Sequence, residues 1–250
     1  MVLPYVLEGC VDSLPSALNA VRGGATRLEL CSNLVIGGTT PSPALLHQVL
    51  EQVTVPVRVL IRPRFGDFLY SEDEILQMEA EIRTALEAGA QGVVIGALTP
   101  DGCLDSAVLR RLLDAASGAP VTLHRAFDMC QDPFSALEEA IALGLDTILT
   151  SGQQDTCLHG LELLKELHQR AAGRIQILCG GGVNPEVIAV FLASTGIRSF
   201  HMSGKKTLSS KMHFRNPDVH MGLPGISEYE QWLADENAFL QAKRVLEAKE

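Results

Sequence analysis

Leu7-Glu8-Gly9-Cys10 and Leu28-Glu29-Leu30-Cys31 are near-copies of each other, and their reading decides the fold. Each closes a short apolar run and stands just before a loop that leads into a helical pattern. Strand side chains alternate faces with period two, so Glu8 shares a face with Cys10, and Glu29 with Cys31. The leucines then point the other way, towards covering helices. An acidic group and a thiol on the inner face of two successive strands are costly unless something pairs with them. The partners must come from the rest of the chain.

Outward from these stretches, Val-, Ile- and Leu-rich runs alternate with helical patterns. The strands read as Tyr5–Cys10, Arg27–Cys31, Val57–Arg62, Gly92–Gly96, Val121–His124, Thr147–Thr150, Ile175–Cys179 and Ser199–Met202. Helices fall near 13–22, 42–52, 72–88, 105–116, 133–143, 156–171 and 185–194. Ser71 with Glu74 forms a capping box, and Asp132-Pro133 and Asn184-Pro185 place a capping oxygen before a first-turn proline. Gly24, Gly89, Gly118, Gly144, Gly173 and Gly196 mark helix ends. Eight strands alternating with helices predict a single (β/α)8 TIM barrel over 1–250. An open doubly wound sheet is the alternative, but its usual GxGxxG turn after the first strand is missing. The eighth unit is irregular. Residues 203–226 read as a long loop, and Ser227 with Glu230 is expected to cap a C-terminal helix over 227–248.

The net charge of -10 argues against nucleic acid or an anionic membrane as partner, since both need a basic field. No apolar run approaches the roughly 18 residues of a membrane span. Met1-Val2-Leu3-Pro4 resembles no export leader. The six cysteines show no CxxC pair, and the expected compartment is the reducing cytosol, where they stay thiols.

In a barrel of this kind the chemistry lies at the C-terminal strand ends. Those ends carry Glu8, Cys10, Glu29, Cys31, Arg62, Arg64, His124, Arg125, Asp128, Thr150, Ser151, His201 and Ser203. Glu8 and Glu29 are expected to pair with Arg62 and Arg64, either as a structural ion-pair layer or as part of a site. Glu29, Arg62, His124, Arg125, Asp128 and His201 form a candidate catalytic set. The arginines would clamp an anion, and Glu29, His124 or Asp128 would move protons. Gly181, Gly182 and Ser203, where a helix opens after the seventh strand, are a candidate anion or phosphate site; a tight turn is the plainer account. Cys10 and Cys31 lie on neighbouring positions if their strands pair at about 4.8 Å. Two such thiolates suit one soft Cu(I) ion, to which Met129, Cys130, Cys179 and Met202 could add; small apolar filler is the other account.

Several motifs resemble the CutC family of copper homeostasis proteins. They are Cys10-Val11-Asp12-Ser13, the stretch Arg22 to Cys31, Gly37-Gly38-Thr39-Thr40-Pro41-Ser42, Ile61-Arg62-Pro63-Arg64, Gly66 to Ser71, His124 to Met129 and Leu149-Thr150-Ser151-Gly152. The similarity runs in order from about residue 5 to residue 217. Phe65 departs from an expected glycine, and Cys179 from an expected proline or alanine. The resemblance implies a TIM barrel, a cytoplasmic location, a homo-oligomer (dimer or tetramer) and a link to copper, with Cys10 and Cys31 at the positions proposed for Cu(I). Three readings follow: a copper-binding protein, an enzyme of a small anionic or phosphorylated substrate, and an oligomeric scaffold.

Overall fold

Eight parallel strands pair in chain order and close on themselves in the computed structural model, which describes residues 5–223 and 225–248. Residues 1–4, on which the expectation of no export leader rests, lie outside these, as do 249–250 and residue 224 of the expected loop. The strands are β1 Val6–Val11, β2 Arg27–Leu30, β3 Val57–Leu60, β4 Gly92–Ile95, β5 Val121–Leu123, β6 Thr147–Thr150, β7 Gln176–Cys179 and β8 Ser199–Met202. Between them run α1 Leu14–Arg22, α2 Pro43–Gln52, α3 Glu72–Glu87, α4 Ser106–Ala116, α5 Pro133–Leu143, α6 Leu161–Ala171 and α7 Pro185–Ser194. This is the (β/α)8 barrel that the alternation predicts.

Local chemistry sets most boundaries. Ser71 and Glu74 make the full capping box, and the side chains of Asp132 and Asn184 accept from first-turn N–H groups. The six glycines read as helix stops all adopt positive φ, which suits a left-handed terminus. One helix starts later than expected: α6 begins at Leu161, not near 156. The backbones of Gly152 and Gly160 pass so close that a Cβ on Gly160 would lie 2.8 Å from the Gly152 Cα. That crossing holds residues 153–160 in turns.

The two faces of the sheet differ sharply. Leu7, Leu28 and Leu30 are wholly buried in the layer between strands and helices. Inside the barrel, Cys10, Cys31, Leu60 and Val94 form a small separate cluster. Near the N-terminal strand ends, buried Arg58 bonds to Thr122, Thr147 and Asp146, the last at 2.6 Å.

The eighth unit corrects the sequence reading. Residues 203–226 are not simply a loop, and no helix starts at Ser227. Lys205–Ser209 forms β9, which pairs antiparallel with β10, Glu230–Ala234. Helix α8 then runs over Glu236–Glu247, capped by Asp235. All five residues of β9 are exposed, so burial imposes no alternation by which its sequence could reveal a strand. Wholly buried Phe239 fixes α8 in the helix ring: an added Cβ on Gly23 would lie 2.5 Å from the Phe239 Cβ, and one on Gly9 would lie 3.3 Å from its ring.

Three substitutions test this ending. Phe239→Ala is expected to cost about 3–5 kcal/mol in denaturant unfolding. Asp235→Ala is expected to cost about 1 kcal/mol through the lost cap, and Ser227→Ala to leave the helix content of the circular dichroism spectrum unchanged.

Candidate functional site

Register places the charged groups. Glu8 of β1 is directly opposite Arg27 of β2 on one side and His201 of β8 on the other. Its carboxylate accepts from Arg27 Nε and lies 2.7 Å from His201 Nδ1. Glu8 is fully buried, and Arg27 nearly so. Burial alone would raise the Glu8 carboxyl, but Arg27 and the His201 hydrogen bond outweigh it and hold the group at about 2. The partner of Glu8 is therefore Arg27, not Arg62 or Arg64 as the sequence suggested. Arg27 shares the inward face of Glu29 by period two, the signal that would have found it.

One step along the barrel, Cys10 is opposite Glu29. The Cys10 thiol lies 3.5 Å from Glu29 Oε1. The neighbouring Cys31 thiol, together with burial, holds Cys10 well above the ordinary thiol range. Cys31 is fully buried, with its sulfur 3.6 Å from the Val11 carbonyl oxygen. Burial pushes the Glu29 carboxyl up against the pull of His201, and Glu29 Oε2 has no partner. Burial would lower His201, but Glu29, Cys10 and Glu8 outweigh it and keep the imidazole well above its usual value. One donor atom from each of Cys10, Glu29 and His201 lies within 4.8 Å of the others, a spacing that could hold a metal ion. Glu8 on Nδ1 fixes the His201 ring, so that Nε2 would be the nitrogen left for an ion once its proton is displaced, the carboxylate–histidine arrangement common behind metal ligands. The donors are mixed. The Cys10 thiol and the imidazole fit a soft ion such as Cu(I), whereas Glu29 fits a harder one; Cys31, in the same apolar cluster as Cys10, is not one of these three.

Above this group is a half-enclosed cavity of about 140 Å³, whose polar lining is Cys10, Glu29, Arg62, His124, Arg125 and His201. Arg62 is held by main-chain carbonyls: Nη1 donates to Gly38 O at 3.0 Å and Nη2 to Gly66 O at 2.9 Å. Its Nε has no partner. His124 follows β5, and its Nδ1 accepts from the Ala126 amide at 3.0 Å. The ring proton is thus on Nε2, which is buried and without a partner. Gly96 makes this seat possible, since a Cβ there would lie 2.6 Å from His124 Nδ1. Phe68 stacks on the ring with centroids 4.8 Å apart. Burial, and then the Arg62 charge, lower His124 to about 3.

Other sequence candidates fall elsewhere. Asp128 accepts from Arg125 Nε at 2.7 Å, from the Ser151 amide and hydroxyl, and from the Thr150 hydroxyl and the Gln153 amide. It ties the turn after β5 to the end of β6 and does not line the cavity. Arg64 is occupied by Glu74 at 2.6 Å and Asp67 at 3.0 Å in the loop after β3. Gly181, Gly182 and Ser203 do not line the cavity. Cys179 belongs to the helix-facing core together with Cys157, while Cys130 reaches the Ala126 carbonyl.

These shifts fix a pH dependence. The folded state keeps His124 neutral, so the unfolded chain takes up more protons between about pH 6.5 and 3, and stability falls with pH across that window. Glu8 adds stability that is complete above its unfolded value near 4.5 and is lost as pH falls towards 2. His124 ring resonances are expected to show no titration between pH 5 and 8. Glu8→Gln is expected to lower stability at neutral pH by about 3–5 kcal/mol, because Arg27 is left buried and unpaired.

A protein-family model described as the CutC family matches residues 5–206. The human copper homeostasis protein cutC homolog is 48% identical over 232 residues, covering 92% of this chain and 85% of that protein. A family protein CutC of Histophilus somni (strain 2336) is 44% identical over 241 residues, covering 96% and 99%. Among solved structures, the copper homeostasis protein CutC of Streptococcus agalactiae superposes with a TM-score of 0.76 at 32% identity, covering 80% of this chain and 98% of that one. With this barrel and these relatives, the chain belongs to the CutC family.

Proposed function

We propose that the chain is a copper homeostasis protein that takes up Cu(I) at the inner end of the barrel mouth through the thiolates of Cys10 and Cys31. Copper here is cargo. The observation that carries this reading is the pair of buried thiols, Cys10 and Cys31, that share one small cluster inside the barrel, with Cys10 beside His201, whose ring is oriented by Glu8. Soft sulfur donors favour Cu(I) over magnesium or calcium, which take oxygen. Glu29 on this reading accepts from the Cys10 thiol before the ion arrives rather than binding the ion. The names of the relatives agree with a role in copper handling. The six free cysteines suit a reducing cytoplasm. Exposed Met212, Phe214 and Met221 beyond β9 would serve a homo-oligomer contact, in a dimer or tetramer.

A second reading is supported by a different observation. Copper needs neither Arg62 nor His124, yet both line the cavity and each carries a buried donor with no partner. An enzyme of a small anionic or phosphorylated substrate would use them, with Glu29 as the nearby carboxyl group.

Anaerobic titration of the reduced protein with Cu(I) is expected to show saturable uptake. A change behind a metal ligand alone costs about 10- to 100-fold in affinity, so Glu8→Gln is expected to weaken uptake by that factor. The Cys10→Ser, Cys31→Ser double variant is expected to lose more. Full affinity in the double variant would sink the copper reading.

A further inference from the structure

We infer that the barrel mouth binds a small hydroxycarboxylate monoanion, its carboxylate held between Arg62 Nε–H and His124 Nε2–H and its hydroxyl donating to Glu29 Oε2. This deepens the second reading by naming its ligand, and it does not depend on copper.

The argument starts from hydrogen bonds the protein leaves unmade. Among the described residues, the unpartnered buried side-chain atoms include Glu29 Oε2, Arg62 Nε and His124 Nε2, and all three residues line one cavity. Each such atom costs about 1–3 kcal/mol if nothing binds it. Glu29, Arg62 and His124 are 4%, 8% and 5% exposed, so bulk water is not their general solvent.

Charge gives the sign of the ligand. No carboxylate pairs with Arg62 among the described residues; its other nitrogens meet only the neutral carbonyls of Ile36, Gly38 and Gly66. Arg27 and Arg58, the other buried arginines of the interior, have Glu8 and Asp146. Arg62 is a buried cation in need of an anion. His124 contributes a neutral N–H fixed by the Ala126 amide on its other nitrogen, a donor that needs no proton from solvent. Two N–H donors on residues of one cavity suit the two oxygens of a carboxylate. A dianion is disfavoured, because the other cations of the lining, Arg125 and His201, already pair with Asp128 and Glu8, and Glu29 adds a carboxyl group to the same cavity.

Size and lining give the rest. A cavity of about 150 Å³ admits benzene, so about 140 Å³ here holds roughly six non-hydrogen atoms. Glycolate and lactate meet that limit. Leu34, Leu60, Leu149 and Phe68 supply apolar walls for the carbon atoms. Glu29 Oε2 is the unused acceptor, and a hydroxyl on the ligand is the group that answers it.

The test is calorimetric titration of the wild-type protein, with chelator present, against lactate, propionate and inorganic phosphate. Binding is measured apart from turnover, so an inactive protein that binds lactate still supports the site. Saturable lactate binding is expected, with propionate about tenfold weaker through the lost hydroxyl bond. Phosphate is expected to bind more weakly than either. Arg62→Gln is expected to weaken lactate by more than about thirtyfold, and His124→Phe by about tenfold. If either variant fails to fold, histidine ¹⁵N spectra of the wild type replace it, with lactate expected to shift the Nε2 resonance of His124. No lactate binding, equal binding of propionate, tighter binding of phosphate, or an unmoved His124 resonance would each overturn the assignment. Loss of Cu(I) uptake in the double cysteine variant, with lactate binding retained, leaves this inference standing and separates the two readings.

Discussion

Everything at the mouth of this barrel depends on one buried carboxylate. Glu8 stands between Arg27 and His201, its in-register neighbours on the adjoining strands. A slip of one residue would turn Glu8 outward into the apolar layer packed against the helices and leave Arg27 without its counter-charge. The charge network therefore does more than stabilise. It specifies the register of β8, β1 and β2, including the seam at which the barrel closes. Burying three ionisable groups costs several kcal/mol in desolvation, and the geometry of the network offsets that cost only in the correct alignment.

From this layer the interior changes character along the strands. Arg58 with Asp146, Thr122 and Thr147 forms a polar plug near the N-terminal ends, where a charge is far from any ligand. The Glu8 network lies above it. Higher still, the thiols of Cys10 and Cys31 and the unpartnered donors of Arg62 and His124 are grouped at the C-terminal ends. In the lower layers each buried arginine has a carboxylate, although Arg27 Nη2 lacks a partner, whereas at the top Arg62 meets only carbonyls among the described residues. That contrast distinguishes a scaffold from a site.

The order of strands and helices was legible because its signals are local. Caps such as Ser71 with Glu74, and glycines ending helices, act within a few residues of themselves. The inward set of Glu8, Cys10, Glu29 and Cys31 was legible for the same reason, since alternation is a property of one strand. Partners were not. Arg27 meets Glu8 through the pairing of two strands, and no pattern within either strand states the offset. Asp128 looked catalytic because it follows His124 and Arg125 closely, yet a turn takes it to the end of β6, where its oxygens are consumed by backbone and hydroxyl donors. The hairpin of β9 and β10 gave no sign because β9 buries neither face.

That hairpin bears on how the molecule is made. Because β9 and β10 intervene between β8 and α8, the last helix reaches its place beside α1 only when nearly the whole chain exists. Glu8 and His201 are 193 residues apart in sequence. At about 5–20 residues per second, a ribosome would need on the order of ten seconds or more to supply the third member of the network after the first. Throughout that interval the nascent chain holds Glu8 and Arg27 with the outer edge of β1 unpaired, an invitation to mispairing with other chains. Closure of the ring is thus a late event in biosynthesis, and the mouth with its thiols and arginine is assembled last.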